Sequence, residues 1–293
     1  MSREAFVNGE YKEFINSKVH IEDRGYQFAD GVYEVFAILD SKIVDYDGHI
    51  KRLYRSLDEL KIPSPIQKKS YKFHIREIIK RNLINDGLIY LQVTRGVASR
   101  DFKFPKNSKS SIVIIGKNAP SNFHNDNFNK GINVKTTKDL RWKRVDIKSL
   151  NLLPPVLAKQ YAVDNGCEEA WLLDEKGYIT EGSSSNAWIV KNKTVITRPV
   201  SNSILNGITR STLIKSFMKV GYKFVEKKFN LNDIKDADEA FITSATQFVM
   251  PVITVNNIKI GNGSVGEFVK IFKEIYFKSI SLSWIKLSLI LFI

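Results

Sequence analysis

Lys148 lies in Asp146-Ile147-Lys148-Ser149-Leu150-Asn151-Leu152-Leu153, a nearly charge-free run directly after the basic Arg141-Trp142-Lys143-Arg144. A lysine among aliphatic residues loses hydration, which favours the neutral amine that can attack a carbonyl. In a chain with 45 Lys and Arg residues that feature alone is weak, since most such lysines are surface stems. A second segment strengthens it: Thr180-Glu181-Gly182-Ser183-Ser184-Ser185-Asn186. Together the two supply a Schiff-base lysine, a carboxylate for a pyridinium nitrogen and small hydroxyl residues near a phosphate. Pyridoxal phosphate needs that set.

A phosphate also needs a seat. Asn206-Gly207-Ile208-Thr209-Arg210 places a glycine just before a helical pattern, where free N–H groups and the helix dipole favour an anion. His49 and Arg52, three apart on another helix, share a face, and Arg52 could make a bidentate phosphate contact. Gly261-Asn262-Gly263-Ser264-Val265-Gly266 is a literal G-x-G-x-x-G, but the acids that follow are Glu267 and Glu274, too near for a ribose partner. It reads as a glycine-rich turn before the last helix. The histidines at 20, 49, 74 and 124 lack metal-ligand spacing, so no metal site is expected.

These residues must be carried by a mixed scaffold. Gly31–Leu39 reads as a strand, rich in β-branched and aromatic residues. Ile50, Leu53, Leu57 and Leu60 recur at helical spacing, as do Ile75, Ile78, Ile79 and Leu83. Strands follow at Ile89–Thr94 and Ser111–Ile115. The polar stretch Asn118–Gly131 is the best linker candidate. Beyond it come strands at Ile132–Thr136, Glu169–Leu173, Ala187–Val190 and Glu239–Thr243. A helix over Ile208–Val220 ends at the C-cap Gly221, and a last helix begins near Gly266. The expected organisation is a small N-terminal α/β domain over 1–118, a linker over 119–131 and a larger cofactor-binding domain over 132–278. The class is α/β (α+β), with a cleft between the two domains for the cofactor.

The last stretch, 279–293, is an apolar tail with one charge, Lys286. It is short for a membrane span, and its alternation of Ser with Ile or Leu suggests a strand or a segment packed on a partner. The formal charge of +14 invites a nucleic-acid reading. The basic residues are scattered, with 33 lysines among them and acids interleaved, so no specific nucleic-acid partner is expected. The single cysteine, Cys167, excludes an internal disulfide and fits a reducing compartment. With no basic-then-apolar leader, a cytoplasmic protein is expected.

Taken together, Asp23-Arg24-Gly25-Tyr26-Gln27-Phe28-Ala29-Asp30-Gly31-Val32-Tyr33-Glu34-Val35, His49-Ile50-Lys51-Arg52-Leu53-Tyr54, the lysine segment through Val156-Leu157-Ala158-Lys159-Gln160, and Thr180 to Asn186 resemble the class IV (fold-type IV) pyridoxal-phosphate aminotransferases. Within that family the resemblance is to the branch acting on D-amino acids, D-alanine above all. It runs from about Phe6 to Phe272, in order and with similar spacing.

The resemblance implies that Lys148 forms the Schiff base and shuttles the substrate proton, and that Glu181 pairs with the ring nitrogen. Arg52, the backbone N–H groups of Ile208 and Thr209, and the Ser244 region would hold the phosphate. Leu205 would pack on the ring and Ser184 would steady the site. In the D-specific branch a tyrosine and an Arg-x-His pair from the neighbouring subunit bind the substrate carboxylate. Tyr33 and Arg100 match the tyrosine and the arginine, but Phe102 stands where the histidine is expected, and Ala245 replaces a phosphate-binding threonine.

The implied activity is transamination of D-alanine with 2-oxoglutarate, giving pyruvate and D-glutamate, by a homodimer with shared active sites. A branched-chain L-amino-acid aminotransferase and an aminodeoxychorismate lyase are the alternatives within the family, kept open by Phe102, an apolar residue that could accept an aliphatic side chain. A non-enzymatic basic binding protein is the alternative outside it; steep salt dependence and no cofactor absorbance would mark that case.

Overall fold

The computed structural model describes residues 3–119 and 126–290. The chain divides into two compact units, Met1–Ser121 with Ile147–Asn151, and Asn122–Asp146 with Leu152–Ile293.

In the first unit six strands form one antiparallel sheet in the order β2-β1-β6-β5-β3-β4: β1 (Glu4–Val7), β2 (Glu10–Glu13), β3 (Gly31–Leu39), β4 (Lys42–Ile43), β5 (Gly87–Thr94) and β6 (Ser111–Asn118). Helix α1 (Arg24–Phe28) leads into β3, and α2 (Tyr46–Glu59) and α3 (Lys68–Arg81) follow β4. The stripe Ile50, Leu53 and Leu57 of α2 and Ile75 and Ile78 of α3 bury against Phe6, Val32, Phe36, Ile38, Ile89 and Ile114 of the sheet. Strand parity puts Val32, Glu34, Phe36 and Ile38 on the core face of β3, and Tyr33 and Val35 on the other. A carboxylate on the core face requires buried partners.

The second unit holds a mixed nine-stranded sheet. Its main path runs β12-β11-β10-β13-β14-β7-β8-β9, with β15 (Ile258–Lys259) paired to β14. The strands are β7 (Ile132–Lys138), β8 (Glu169–Leu173), β9 (Ile179–Gly182), β10 (Asn186–Lys191), β11 (Thr194–Thr197), β12 (Phe224–Glu226), β13 (Glu239–Ser244) and β14 (Phe248–Val255). Helix α4 (Asp126–Lys130) precedes β7, and α5 (Leu153–Asp164) lies between β7 and β8. Helices α6 (Ile208–Val220), α7 (Leu231–Lys235) and α8 (Glu267–Ile290) complete the unit. Trp188 stacks on Phe241 with centroids 5.2 Å apart, and its Nε1 donates to Thr243 Oγ1 at 2.9 Å. Phe217 of α6 and Phe272 of α8 close this core.

Several expectations change. Ile147–Asn151 clusters with the first unit rather than with the rest of 132–278. Of the linker expected over 119–131, residues 120–125 lie outside the described residues, and 126–130 form α4. The tail is no strand: α8 runs unbroken to Ile290, because Ser, Leu and Ile also satisfy a helix when no turn residue intervenes. Among the described residues no helix is long and apolar enough to cross a membrane.

The G-x-G-x-x-G turn is explained by the chain's own acid. Glu239 accepts from the Phe268 and Val269 N–H groups at 3.0 and 2.9 Å, capping the start of α8. A Cβ on Gly266 would fall 1.9 Å from the Glu239 carboxyl carbon, so glycine is needed for that approach. The helix start already holds its anion.

Candidate active site

In the first unit the lysine segment lies antiparallel along the start of β3. Tyr33 N donates to the Lys148 carbonyl at 3.1 Å, and Leu150 N to that of Gly31 at 3.0 Å. Gly31 makes room: a Cβ there would meet Val93 O at 2.7 Å and Leu150 Cδ1 at 2.8 Å. Ile147 is buried in the core, and Lys148 N donates to Ser56 Oγ of α2 at 3.2 Å. The alternation sends the Lys148 side chain away from that core, with Nζ 4.1 Å from the centre of the Tyr33 ring. Lys148 and Tyr33, singled out separately in the sequence, are thus brought together.

Arg52 stands on the buried face of α2 beside Glu34. Its Nε and Nη2 donate to Glu34 Oε1 and Oε2 at 2.8 and 2.7 Å, and His49 Nδ1 lies 2.7 Å from Oε2. Burial alone would raise the Glu34 carboxyl. The Arg52 charge and hydrogen bonds, with His49, outweigh it and bring the carboxyl down to about 2. Burial pushes the His49 imidazole down, so at neutral pH it is uncharged and offers its Nδ1–H to the acid.

Arg100 and Phe102 sit on the loop between β5 and β6. The Arg100 guanidinium lies 4.6 Å from the Phe28 ring centre, and Phe102 meets Phe28 edge-on at 5.6 Å while remaining 87% exposed. Arg24 Nη1 holds the Asp101 carbonyl at 2.6 Å.

In the second unit Glu181, on β9, is buried. Leu205 N donates to both its oxygens at 3.1 Å, and Asn186 Nδ2 to Oε2 at 2.8 Å. Arg141 Nη1 also donates to Oε1, but Nε and Nη2 donate to Asp139 at 2.9 and 2.7 Å, Nη2 reaching the Ser203 carbonyl at 3.3 Å and Thr180 Oγ1 at 3.4 Å as well. One positive charge is therefore divided between two carboxylates. Burial raises both acids; for Asp139 the Arg141 fork, with Thr180, outweighs it and holds the carboxyl low. For Glu181 burial prevails, and the carboxyl stays above its ordinary range. Burial works against the Arg141 cation, yet Glu181 and Asp139 together raise its pKa.

The serine run behaves differently from expectation. Ser183, Ser184 and Ser185 all turn their hydroxyls to Glu169, which is fully buried, Ser184 at 3.3 Å and Ser185 at 2.9 Å. A buried carboxylate demands such donors and captures hydroxyls that the sequence alone would assign to a phosphate. Helix α6 begins at Gly207 without a side-chain cap, so the N–H groups of its first turn, Ile208 and Thr209 among them, are not taken by a capping side chain. Ser244 accepts from Gln247 N at 3.0 Å and lies 3.3 Å from the Thr246 hydroxyl.

The donor set fits pyridoxal phosphate. Asp139 and Glu181 share the single Arg141 cation in a buried place, so an ionised Glu181 would call for a further cation, which a protonated ring nitrogen would supply. An uncapped helix start with a glycine suits a phosphate. Sequence reasoning passed over Glu34, Arg141, Asp139, Glu169 and Asn186 as site residues. Glu34 was the findable one, an acid at core parity in a strand.

A family model described as class IV amino-transferase matches residues 31–255. Two D-alanine aminotransferases, from Staphylococcus haemolyticus and Bacillus licheniformis, are each 38% identical to the chain. The matches cover 92% of this chain and 95% of the first relative, and 90% and 92% for the second. Among solved structures, the Escherichia coli branched-chain amino acid aminotransferase superposes with a TM-score of 0.89 at 23% identity, covering 96% of this chain and 95% of that one. A hypothetical aminotransferase from Mycobacterium tuberculosis, in a PLP-bound form, gives 0.83 at 18% identity, covering 94% of this chain and 98% of that one. At such identities the likeness speaks for the fold.

Proposed function

The chain belongs to the class IV aminotransferases, and from that premise we propose that it transfers the amino group of D-alanine to 2-oxoglutarate, giving pyruvate and D-glutamate. Its cofactor is pyridoxal 5′-phosphate, which when bound supplies an aldehyde for a lysine and an aromatic ring that accepts electrons. The observation that carries the reading is the buried Glu181 carboxyl, held by Arg141, Asn186 and the Leu205 N–H while Arg141 is shared with Asp139.

In this reading Lys148 is the covalent partner and the base that takes and returns the proton at the substrate Cα. Glu181 holds a proton on the ring nitrogen. Arg52, the N–H groups of Ile208 and Thr209, and Ser244 hold the phosphate, while Leu205 packs on the ring. Ser184 acts through Glu169. Glu34 takes two of the Arg52 donors and so fixes the position from which the guanidinium serves the phosphate. Tyr33 and Arg100 receive the substrate carboxylate, and Phe102 gives the carboxylate site an apolar wall.

The names of relatives at 36–38% identity, D-alanine aminotransferases, support the D-alanine assignment over the branched-chain one. The exposed Leu153, Val156 and Leu157 of α5 fit a face covered by a second copy, as a homodimer requires. A cytoplasmic setting agrees with the lone thiol of Cys167.

Chiral product analysis with D-alanine and L-leucine as separate donors tests the assignment. D-Alanine is expected to be used and L-leucine to be poor; the reverse preference would make the chain a branched-chain enzyme. Lys148→Ala is expected to lower turnover by at least about 10³-fold, and a variant with normal turnover overturns the lysine's role. The homodimer is tested by mixing Lys148→Ala with Arg100→Ala protein: hybrids should regain activity above either parent if Arg100 serves the neighbouring subunit. Hybrids that form, by native mass, and remain as inactive as the parents would refute it.

A further inference from the structure

Asn186 opens β10 directly after the serine run and is 5% exposed. Its Nδ2 donates both to Glu181 Oε2 at 2.8 Å and to the Leu205 carbonyl at 2.9 Å. Both partners are acceptors, so the amide nitrogen, not the oxygen, must face them. The oxygen is then turned toward Gly207, where a Cβ would fall 2.1 Å from Oδ1. Gly207 has a φ of −61°, which any residue adopts; glycine is required there for room, not for backbone freedom. One side chain thus touches the carboxylate of β9, the main chain at Leu205 and the residue that starts α6.

We propose that Asn186 is a positioning residue that fixes Glu181, Leu205 and the first turn of α6 in one register, so that ring nitrogen, ring face and phosphate are received together. This rests on the cofactor roles given above for Glu181, Leu205, Ile208 and Thr209. The requirement is specific to an amide. An aspartate has the same shape but no N–H, and it would set a second negative charge beside Glu181. A serine or alanine reaches neither acceptor. The Gly207 contact also explains why a glycine stands at the helix start with no left-handed conformation to justify it.

Apoprotein is titrated with pyridoxal 5′-phosphate by absorbance, and the pH dependence of the bound chromophore and the melting temperature of the apoprotein are recorded. Asn186→Ala loses two hydrogen bonds and is expected to weaken cofactor binding about tenfold or more. It should also shift the pH at which the chromophore changes, which a purely structural role would not do. Gly207→Ala, whose methyl displaces the amide, should weaken binding by a similar factor. In the double variant the methyl enters space that the amide has left, so binding should be no worse than in Asn186→Ala alone.

Losses that multiply in the double variant overturn the proposal, as does a lower melting temperature with unchanged affinity and pH profile. If Asn186→Ala does not fold, Asn186→Asp, which keeps the shape but loses both donors, takes its place in the single-variant binding and pH measurements, with weaker cofactor binding expected and unchanged affinity and pH profile overturning the proposal. Glu181→Gln separates the two levels of the argument. Unchanged turnover in that variant refutes the cofactor roles themselves. Lowered turnover there, with Asn186 variants binding normally, refutes the Asn186 assignment alone.

Discussion

Glu34 in the first unit and Glu181 in the second are both buried against an arginine, and the two pairs end in opposite electrostatic states. Glu34 receives two donors of Arg52 and a neutral imidazole, so its cluster sums to zero and its carboxyl is brought down to about 2. Glu181 receives one donor of an arginine that it shares with Asp139, so the one cation does not balance two ionised acids and the Glu181 carboxyl is raised. The first arrangement is complete in itself. The second is complete only with a further cation. Charge balance, rather than burial or hydrogen-bond number, distinguishes a scaffold acid from one held for a ligand.

The contrast is tested first by Glu181→Gln. An uncharged amide cannot keep the ring nitrogen protonated, so turnover should fall by about 10²–10³-fold while the cofactor stays bound. The apoprotein should be no less stable than wild type by urea denaturation, because Asp139 still balances Arg141. Marked destabilisation would make Glu181 a scaffold acid like Glu34.

Glu34→Gln should show the converse. Removing the acid leaves Arg52 buried without its counter-charge, a loss of about 3–5 kcal/mol in unfolding free energy. Urea midpoints within error of wild type would remove the distinction between the pairs.

The smallest effect is in the pH dependence of stability, where the two acids should act with opposite sign. Glu34, low in the fold, contributes stability that is complete above its ordinary value of 4.5 and is lost as pH falls through about 2. Glu181, raised in the fold, contributes stability that is complete below 4.5 and is lost as pH rises through its folded value. The gap between wild type and Glu34→Gln should therefore narrow in acid, whereas Glu181→Gln should gain on wild type toward neutrality. Parallel trends for both variants would contradict the charge count.

Much of the scaffold was legible because its periodicity was clean. Glu169–Leu173 and Ile208–Val220 fall where their patterns and the Gly221 cap put them, Gly221 having a φ of 78°. Helix α5 was hidden: Leu153, Val156 and Leu157 face outward, so no polar face marks a helix, and two prolines in its first turn read as breakers. Pro251 hid β14 in the same way, since a proline argues against an inner strand. At the proposed site, the lysine and glutamate stand out in the sequence by type and spacing. Their partners were not, because Arg141, Asp139 and Asn186 acquire their roles from side-chain directions in the folded unit. The serine run misled for the same reason, its acceptor Glu169 lying fourteen residues back from Ser183 on a neighbouring strand.

Ile147–Asn151 has a consequence for how the molecule is made. All six strands of the first sheet are encoded before Ala119, yet the segment laid along β3 is encoded after β7. On the ribosome the N-terminal sheet is complete in strands while the lysine is still unsynthesised, and domains fold from the N-terminus as they emerge. The seam beside Gly31 and Tyr33 joins segments far apart in the chain, so its closure carries the entropy of a long loop. Order of synthesis thus makes Lys148 a late piece of its own platform, added after every strand of the sheet it lies along.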